Sequence, residues 1–323
     1  MWELEASASS HIALTSAGEA EEREFWNLPM HRPEIKPLEI QVMPDHVHML
    51  IYVTRTLASP LGITIAGFKA GSSKAATGAC GLWAEGFQDT ILFREGQLEA
   101  MRSYIRDNPR RLAVKKLQID IFRLRRDFEI EFAELGLRGR FETIGNHFLV
   151  SSPNILQVQC SRRDFAYRRI PKPGGGRKIA RDAAQVPLQE MTTAAFEEKC
   201  EEMIAAAKHG AVLVSPCISD GEREIARRAF SGGARVIKLA NMGFSPLYKP
   251  GGRLFNHTAD GRLLMLSPAA WPYMTAEKHM TRIDACVLNR IAQLIAGEGA
   301  AQIDYKGMAP SDIDRLVREA IAP

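Results

Sequence analysis

Two histidines separated by one residue, His46 and His48, have the types and spacing that most directly suggest chemistry in this chain. They lie in an apolar run, residues 42–53, that predicts a β-strand, and residues two apart on a strand point to the same face. We therefore expect the two imidazoles side by side, with Val47 and Met49 directed into a core. Neutral imidazole is a good ligand for divalent metals, so the pair predicts two ligands of one metal ion.

A tyrosine and an amide downstream give this metal a reaction to serve. Tyr104 and Asn108 are four residues apart, so on a helix they share a face. The Asn108 oxygen can complete a His-His-Asn set around Mg²⁺ or Mn²⁺, which would polarise a phosphoryl oxygen. The Tyr104 oxygen can then attack phosphorus and conserve the phosphodiester energy as a phosphotyrosine. Alternatively, Asn108 is a helix C-cap, because Pro109 follows it.

Three motifs occur in a fixed order along this part of the chain. They are Met-Pro-Asp-His-Val-His-Met-Leu-Ile at 43–51, Trp-Ala-Glu-Gly-Phe-Gln-Asp-Thr-Ile at 83–91, and Tyr-Ile-Arg-Asp-Asn-Pro-Arg at 104–110. The ordered combination resembles the single-tyrosine HUH transposases, and most closely the REP-associated tyrosine transposases, over residues 38–116.

This resemblance implies a fold, a site and a substrate. The fold is a ferredoxin-like antiparallel sheet, with His46, His48 and Asn108 binding Mg²⁺ or Mn²⁺ and Tyr104 as the nucleophile. The substrate is single-stranded DNA, often folded as a hairpin, and cleavage leaves a 5′-phosphotyrosine link and a free 3′-hydroxyl. A homodimer is implied as well, because paired strand transfer needs two tyrosines and each chain offers one.

Composition bounds the remaining possibilities. The chain has 323 residues, 46% of them hydrophobic and 25% charged, which is ordinary for a globular protein and long enough to suggest two domains. It contains no apolar run of about 18 residues, so we expect no membrane segment. Its five cysteines are scattered and form no C-x-x-C pair, which predicts reduced thiols in a cytoplasmic protein.

Positive charge is concentrated in two stretches. Residues 94–127 hold ten Lys or Arg and five acids, and residues 162–181 hold eight basic residues and one acid. Such stretches suit a phosphate backbone, although solvated surface explains each stretch alone. The candidate DNA contacts are Lys69, Lys74, Arg102, Arg106, Arg110, Arg168 and Arg169.

The hydrophobic pattern divides the chain at a cluster of glycines. We expect an HUH domain over residues 1–135, a linker over 136–148 and a second domain over 149–323. In the first domain, apolar alternation predicts strands at 38–43, 46–53 and 86–93. Helices are expected at 61–76, at 97–107 with an end before Pro109, and across 112–132.

The second domain has the pattern of an α/β sheet buried on both faces. Short apolar strands alternate with helical segments, which predicts a mostly parallel, Rossmann-like sheet. The strands are expected at 155–160, 211–215, 235–240 and 263–267, and the helices at 192–209, 222–230 and 280–296.

The strand, turn and helix start at 210–222 distantly resemble the Rossmann-type domain of the DNA-processing protein DprA. Ser219 and Glu222 fit a capping box, and the turn offers backbone N–H groups to an anion. Ser215 lacks the glycine that directly follows the corresponding serine in that family. The roles open to this domain are binding single-stranded DNA, binding a nucleotide, scaffolding a dimer, or a plain accessory role.

The interpretation favoured for the whole chain is a metal-dependent DNA strand transferase with a tyrosine nucleophile. Its rival is a non-catalytic, domesticated DNA-binding protein whose second domain holds the ligand. A third interpretation is a nucleotide-sensing protein with a vestigial nuclease domain.

Overall fold

The computed structural model describes residues 12–77, 81–160, 164–169, 188–275, 280–303, 305 and 307–322, with backbone alone for 166–169 and 188–191. The chain forms two compact units, Met1–Leu117 and Gln118–Pro323. No helix in these described ranges is both long enough and apolar enough to cross a bilayer.

The first unit combines helices with one β-hairpin. Its helices are α1 (Ser16–Trp26), α2 (Leu28–His31), α3 (Leu61–Thr77) and α4 (Gln97–Leu117), and its strands are β1 (Ile35–Val42) and β2 (Val47–Val53). The strands pair antiparallel, with Val42 opposite Val47 and Gln41 opposite His48. In the described part of this unit the sheet has these two strands.

Each face of the hairpin has its own neighbours. Ile40, Met49 and Ile51 pack on a small core formed by Phe25 of α1, Phe68 of α3, Leu28 of α2 and Ile35 of β1. The opposite face carries His48 and Glu39, which contact side chains of α4. Met49 faces the core as predicted, and the opposite face with His48 is directed toward α4.

Residues 86–93, predicted as a strand, are irregular instead. The alternation that suggested a strand is not matched by burial, since Phe87, Ile91 and Phe93 are all exposed. The segment is held from its start by Lys69 of α3, whose ammonium donates to the carbonyls of Ala84 and Gly86.

Two further predictions in this region are wrong. Helix α4 does not end before Pro109 but continues to Leu117. Residues 125–132, predicted as helix, form strand β3 (Arg125–Phe132) of the second unit. There Phe128, Ile130 and Phe132 alternate with charged residues, which is the period of a strand and not of a helix.

The second unit is built on a six-stranded mixed sheet in the order β3-β4-β10-β9-β8-β5. The strands after β3 are β4 (Leu137–Gly145), β5 (Ile155–Gln157), β8 (Val212–Ser215), β9 (Arg235–Leu239) and β10 (Leu263–Pro268), and β6 (Phe165–Arg169) pairs with β7 (Leu188–Thr192) as a separate hairpin. The helices are α5 (Ala194–Lys208), α6 (Asp220–Ser231), α7 (Gly252–Ala259), α8 (Arg282–Ala296) and α9 (Pro310–Ile321).

Strands β5, β8, β9 and β10 run parallel, and β4 joins β10 antiparallel. Alternate residues of these strands enter two separate cores. Leu213 and Met265 face a core shared with Phe196 of α5. Val214 and Leu266 face the opposite core, which contains residues of α8 and α9. The sheet is therefore buried on both faces, as the continuous apolar runs predict.

The predicted linker at 136–148 is instead β4 and a short turn, and the chain divides at Leu117. Two of its glycines, Gly139 and Gly145, are packing positions. A Cβ on Gly139 would lie 2.5 Å from Ile321 Cδ1 and 2.9 Å from Phe132 Cε2, so glycine lets α9 approach the sheet closely. A glycine cluster indicated a flexible linker, whereas here it marks close contacts inside a sheet.

Candidate active site

The histidine pair lies at the start of β2, where the hairpin turn ends. The Nε2 atoms of His46 and His48 are 3.2 Å apart, and their rings meet edge to face at 89°. Two nitrogens about 2.1 Å from one cation lie about 3.0–3.4 Å apart when their bonds make about 90–109°. The distance therefore fits either a shared divalent ion or a direct N–H···N hydrogen bond between the rings.

Asp45 orients the first of these histidines. Its Oδ1 lies 2.7 Å from His46 Nδ1 and accepts that proton, which directs the other ring nitrogen, Nε2, toward His48. The hydrogen bond to His46 lowers the pKa of Asp45. Metal-binding histidines commonly donate their second N–H to a carboxylate in this way. The sequence motif does not distinguish Asp45 from an ordinary turn residue, so its contact with His46 comes from the structure.

The surroundings of His48 favour the neutral form that can bind a metal. Burial, and after it the neighbouring His46, lowers the pKa of His48 below its ordinary value. A lowered pKa favours the neutral imidazole of His48.

Tyr104 of α4 faces the histidine pair. Its ring centroid lies 5.6 Å from that of His48, at an interplanar angle of 77°. The side chain is 39% exposed, so a substrate can reach it. The structure thus brings Tyr104 beside the histidine pair through His48, from which it is 56 residues away in the sequence.

Asn108 is placed differently from the other three. It is buried, and its amide NH₂ donates to the main-chain oxygens of Tyr104 at 3.0 Å and Ile105 at 3.4 Å. Because α4 continues to Leu117, Asn108 is not a C-cap. Its described contacts lie within its own helix, and the NH₂ group is used there, so the amide oxygen is the atom left to consider as a ligand.

Several of the predicted DNA contacts are engaged with the protein itself. Arg106 makes a two-point contact with Glu39, Arg102 lies 3.8 Å from the same carboxylate, and Arg110 pairs with Asp107. Lys69 donates to main-chain carbonyls, as described above. Through these contacts, each of the four cations faces a carboxylate or a main-chain carbonyl of the first unit. The four are Lys69, Arg102, Arg106 and Arg110.

The remaining predicted DNA contacts are less constrained. Lys74 lies exposed on α3. Arg168 and Arg169 lie on β6, and their side chains fall outside the described residues, as does most of the basic segment 162–181.

One cation that the sequence did not single out lies against the tyrosine. The guanidinium carbon of Arg111 is 5.2 Å from the centre of the Tyr104 ring. Burial lowers the pKa of Arg111, and the nearby Tyr104 and Asp107 act in the opposite direction. The sequence does contain a sign of this contact, because Tyr104 and Arg111 are seven residues apart and residues i and i+7 share a face of a helix.

The turn after β8 does not leave the anion site that its sequence suggests. Ser219 Oγ accepts from the N–H of Glu222, and the Glu222 carboxylate accepts from the N–H groups of Ile218 and Ser219. The N–H of Cys217 is bonded by Ser215 Oγ. The predicted capping box is confirmed, and its buried carboxylate takes up N–H groups that the sequence suggested were open to an anion.

Within the ranges that the structure describes, no three His, Cys, Asp or Glu side chains form a group that could hold a metal. A cation at the histidine pair would therefore need other ligands, such as an amide, water or substrate oxygens. Compared with protein-family models, curated proteins and solved structures, the chain gives no match in any of the three searches.

Proposed function

We propose that the first unit cleaves single-stranded DNA and transfers the strand, with Tyr104 as nucleophile. The observation that carries this proposal is the convergence of a two-imidazole pair with a solvent-accessible tyrosine. The ordered motifs that resemble single-tyrosine HUH transposases give the same assignment. We also propose that the first unit has a ferredoxin-like fold and that the second unit is a Rossmann-like α/β domain.

The cofactor in this proposal is Mg²⁺ or Mn²⁺, bound by His46 and His48, with the Asn108 amide oxygen as a further ligand. The 3.2 Å separation of the imidazole nitrogens and the lowered pKa of His48 support this assignment. When bound, such an ion would polarise a phosphoryl oxygen. Asp45 keeps the His46 ring in the orientation that directs its second nitrogen toward His48.

The reaction is a transesterification that balances without an oxidant or reductant. The phenolic oxygen of Tyr104 forms a bond to phosphorus while the bond from phosphorus to the 3′-oxygen breaks. The phenolic proton passes to solvent water, and the departing 3′-oxygen takes up a proton. The protein then holds the 5′-phosphate, and a 3′-hydroxyl can later reverse the step. Transfer between two cut ends needs two tyrosines, so we propose that the working form is a homodimer.

A gel assay tests this function. The protein is incubated with labelled hairpin DNA and Mn²⁺, denatured and separated. We expect a labelled protein adduct that disappears in Tyr104→Phe, a variant that removes only the hydroxyl. The adduct should also require His46 and His48. DNA binding without an adduct over a broad set of hairpins would instead identify a non-catalytic DNA-binding protein.

A further inference from the structure

A groove of about 490 Å³ lies in the first unit between α3 and residues 81–87, and its lining includes neither the histidine pair nor Tyr104. Sites for small molecules typically have about 300–1,000 Å³. The side formed by α3 is one stripe of the helix, with spacings of three and four residues. It consists of Gly62, Ile65, Ala66, Lys69, Ala70 and Ser73.

Hydrogen bonds hold the two sides of this groove together. The ammonium of Lys69 donates to the carbonyls of Ala84, at 2.8 Å, and Gly86. The indole N–H of Trp83 donates to Ser72 Oγ at 3.0 Å. The groove is therefore formed before any ligand binds, which lowers the cost of binding.

The shape and lining of the groove suit a flat aromatic ring. Phe87 lines it with a ring that is 46% exposed. On the α3 side, the exposed residues Gly62, Ala66 and Ala70 are small and leave room for an occupant. Nucleobases are flat rings that stack on aromatic side chains in this way.

Ser73 adds a polar group to this mostly apolar lining. The residue is 3% exposed, and its hydroxyl has no hydrogen-bond partner within the described parts of the chain. Its neighbour Ser72, in contrast, donates to the carbonyl of Phe68 and accepts from Trp83. Buried hydroxyls are normally paired, and a hydroxyl can donate to or accept from the edge of a base.

A cation stands where the phosphate of a bound nucleotide would need one. Lys74 continues the row of Gly62, Ala66 and Ala70 at the helical spacing of four. It is exposed, and it forms no ion pair with any residue that the structure describes. Helix α3 contains two lysines and no acid, so its charge is complementary to a phosphate.

We propose that this groove holds one unpaired base of the DNA, stacked on Phe87, with the polar edge of the base at Ser73 and its phosphate at Lys74. This inference rests on the proposed function in taking single-stranded DNA as the substrate. It requires neither a metal nor a covalent step. The groove would give the first unit a preference for DNA that has an unpaired nucleotide at one fixed position.

Removal of single bases from the DNA tests this inference. The full chain with Tyr104→Phe, which binds without cleaving, is titrated in Mn²⁺ with a labelled hairpin that carries about six unpaired nucleotides on each side. Each unpaired base is replaced in turn by an abasic site, and fluorescence anisotropy measures the affinity. We expect one position at which loss of the base weakens binding about tenfold, the scale of one base–aromatic stack. Equal affinity for all of these hairpins, or no binding of any, overturns the inference.

Two leucine substitutions on α3 locate the effect. Ala66→Leu fills the groove, so the abasic site at the sensitive position should now cost less than about twofold. Ala75→Leu adds the same side chain at an exposed position of α3 outside the groove and should retain the full effect. Equal base sensitivity in the two variants contradicts the inference.

A second pair of variants tests the stacking surface. Phe87→Ala should abolish the base sensitivity, whereas Phe93→Ala, which removes a nearby exposed ring outside the groove, should preserve it. Ser73→Ala keeps the shape of the groove and should narrow the differences in affinity among the four bases at that position. If urea unfolding shows that Ala66→Leu does not fold, the Phe87→Ala and Phe93→Ala pair decides.

The groove and the proposed function fail in different ways. A wild type that forms no covalent adduct, but has a base-sensitive position that Ala66→Leu abolishes, refutes strand transfer and keeps the groove. An adduct that requires Tyr104, together with no base-sensitive position, refutes the groove alone. Deoxynucleoside monophosphates that bind as tightly as the hairpin would identify a free-nucleotide site and overturn the assignment to DNA.

Discussion

Asn108 supplies a hydrogen-bond donor at the place in α4 where Pro109 has none. In a regular helix the carbonyl of Ile105 would accept from the N–H of residue 109, which proline lacks. The Asn108 amide donates to this carbonyl at 3.4 Å and to that of Tyr104 at 3.0 Å. The helix can therefore continue through the proline to Leu117 with Tyr104 in its middle.

Substitution of Asn108 should separate its structural role from its proposed role as a ligand. Asn108→Ala removes the donor from a buried site, and we expect a loss of about 1–2 kcal/mol in the free energy of unfolding. Asn108→Asp also loses the donor but keeps a ligand oxygen, so it should be destabilised while still binding Mn²⁺. Urea unfolding and calorimetric titration with Mn²⁺ measure the two effects. Unchanged stability in both variants would contradict the account of α4.

Arg106 should contribute little to DNA binding, because it already contacts Glu39 at two points. We expect Arg106→Gln to change hairpin affinity less than twofold and to leave its salt dependence nearly unchanged. Exposed Lys74 offers the comparison, since Lys74→Gln would flatten the salt dependence if that side chain neutralises a phosphate. Fluorescence anisotropy over a range of salt concentrations measures both variants. A large loss of affinity in Arg106→Gln would show that its pairing with Glu39 yields to DNA.

Gly139 should tolerate no side chain in β4. A methyl group there would lie 2.5 Å from Ile321 Cδ1, so Gly139→Ala should cost about 1–3 kcal/mol through overpacking. In the background of Ile321→Val, which lacks that Cδ1 atom, the same substitution should cost about 1 kcal/mol less. Denaturant unfolding of the four proteins measures this coupling. Additive effects of the two substitutions would contradict the close packing of α9 on the sheet.

His147 should make the second unit less stable in acid. Burial, with Arg125 nearby, lowers the pKa of His147 to about 4, while in the unfolded chain it is near about 6.5. Between these pH values the unfolded state binds a proton that the folded state does not. The free energy of unfolding therefore keeps the full contribution of neutral His147 above about pH 6.5 and loses it as the pH falls toward 4. Because His147 is only half-buried, we expect less than the full slope of about 1.4 kcal/mol per pH unit.

His147→Gln should flatten that part of the profile. The measurement is the free energy of unfolding between pH 4 and 7, obtained from hydrogen exchange of the amides in β4. This strand contains Thr143, the hydrogen-bond partner of His147. An unchanged slope in the variant would show that other groups cause the acid sensitivity.

The sequence predicted best where one local pattern dominates. The four parallel strands of the second unit have continuous apolar runs, and all four lie where those runs are. Residues 125–132 misled because a basic segment precedes them, although their own alternation has the period of a strand. Glycines at 136, 139 and 145 suggested a linker, but Gly139 and Gly145 lie in close contacts, which sequence alone does not distinguish from flexibility.

In the site, the spacing of residues predicted which side chains share a face. It did not predict which charges are already used within the protein, because the pairing of Arg106 with Glu39 joins residues 67 positions apart. The same limit concealed the contact of Arg111 with the ring of Tyr104.

The most direct test of the central claim identifies the atom of the protein that becomes joined to DNA. After reaction with hairpin DNA and Mn²⁺, nuclease and protease digestion followed by mass spectrometry should find a nucleotide 5′-phosphate on the peptide that contains Tyr104. Variants lacking His46 or His48 should show none. A link to another residue, a 3′-phosphate linkage, or bound DNA with no covalent link would contradict the account.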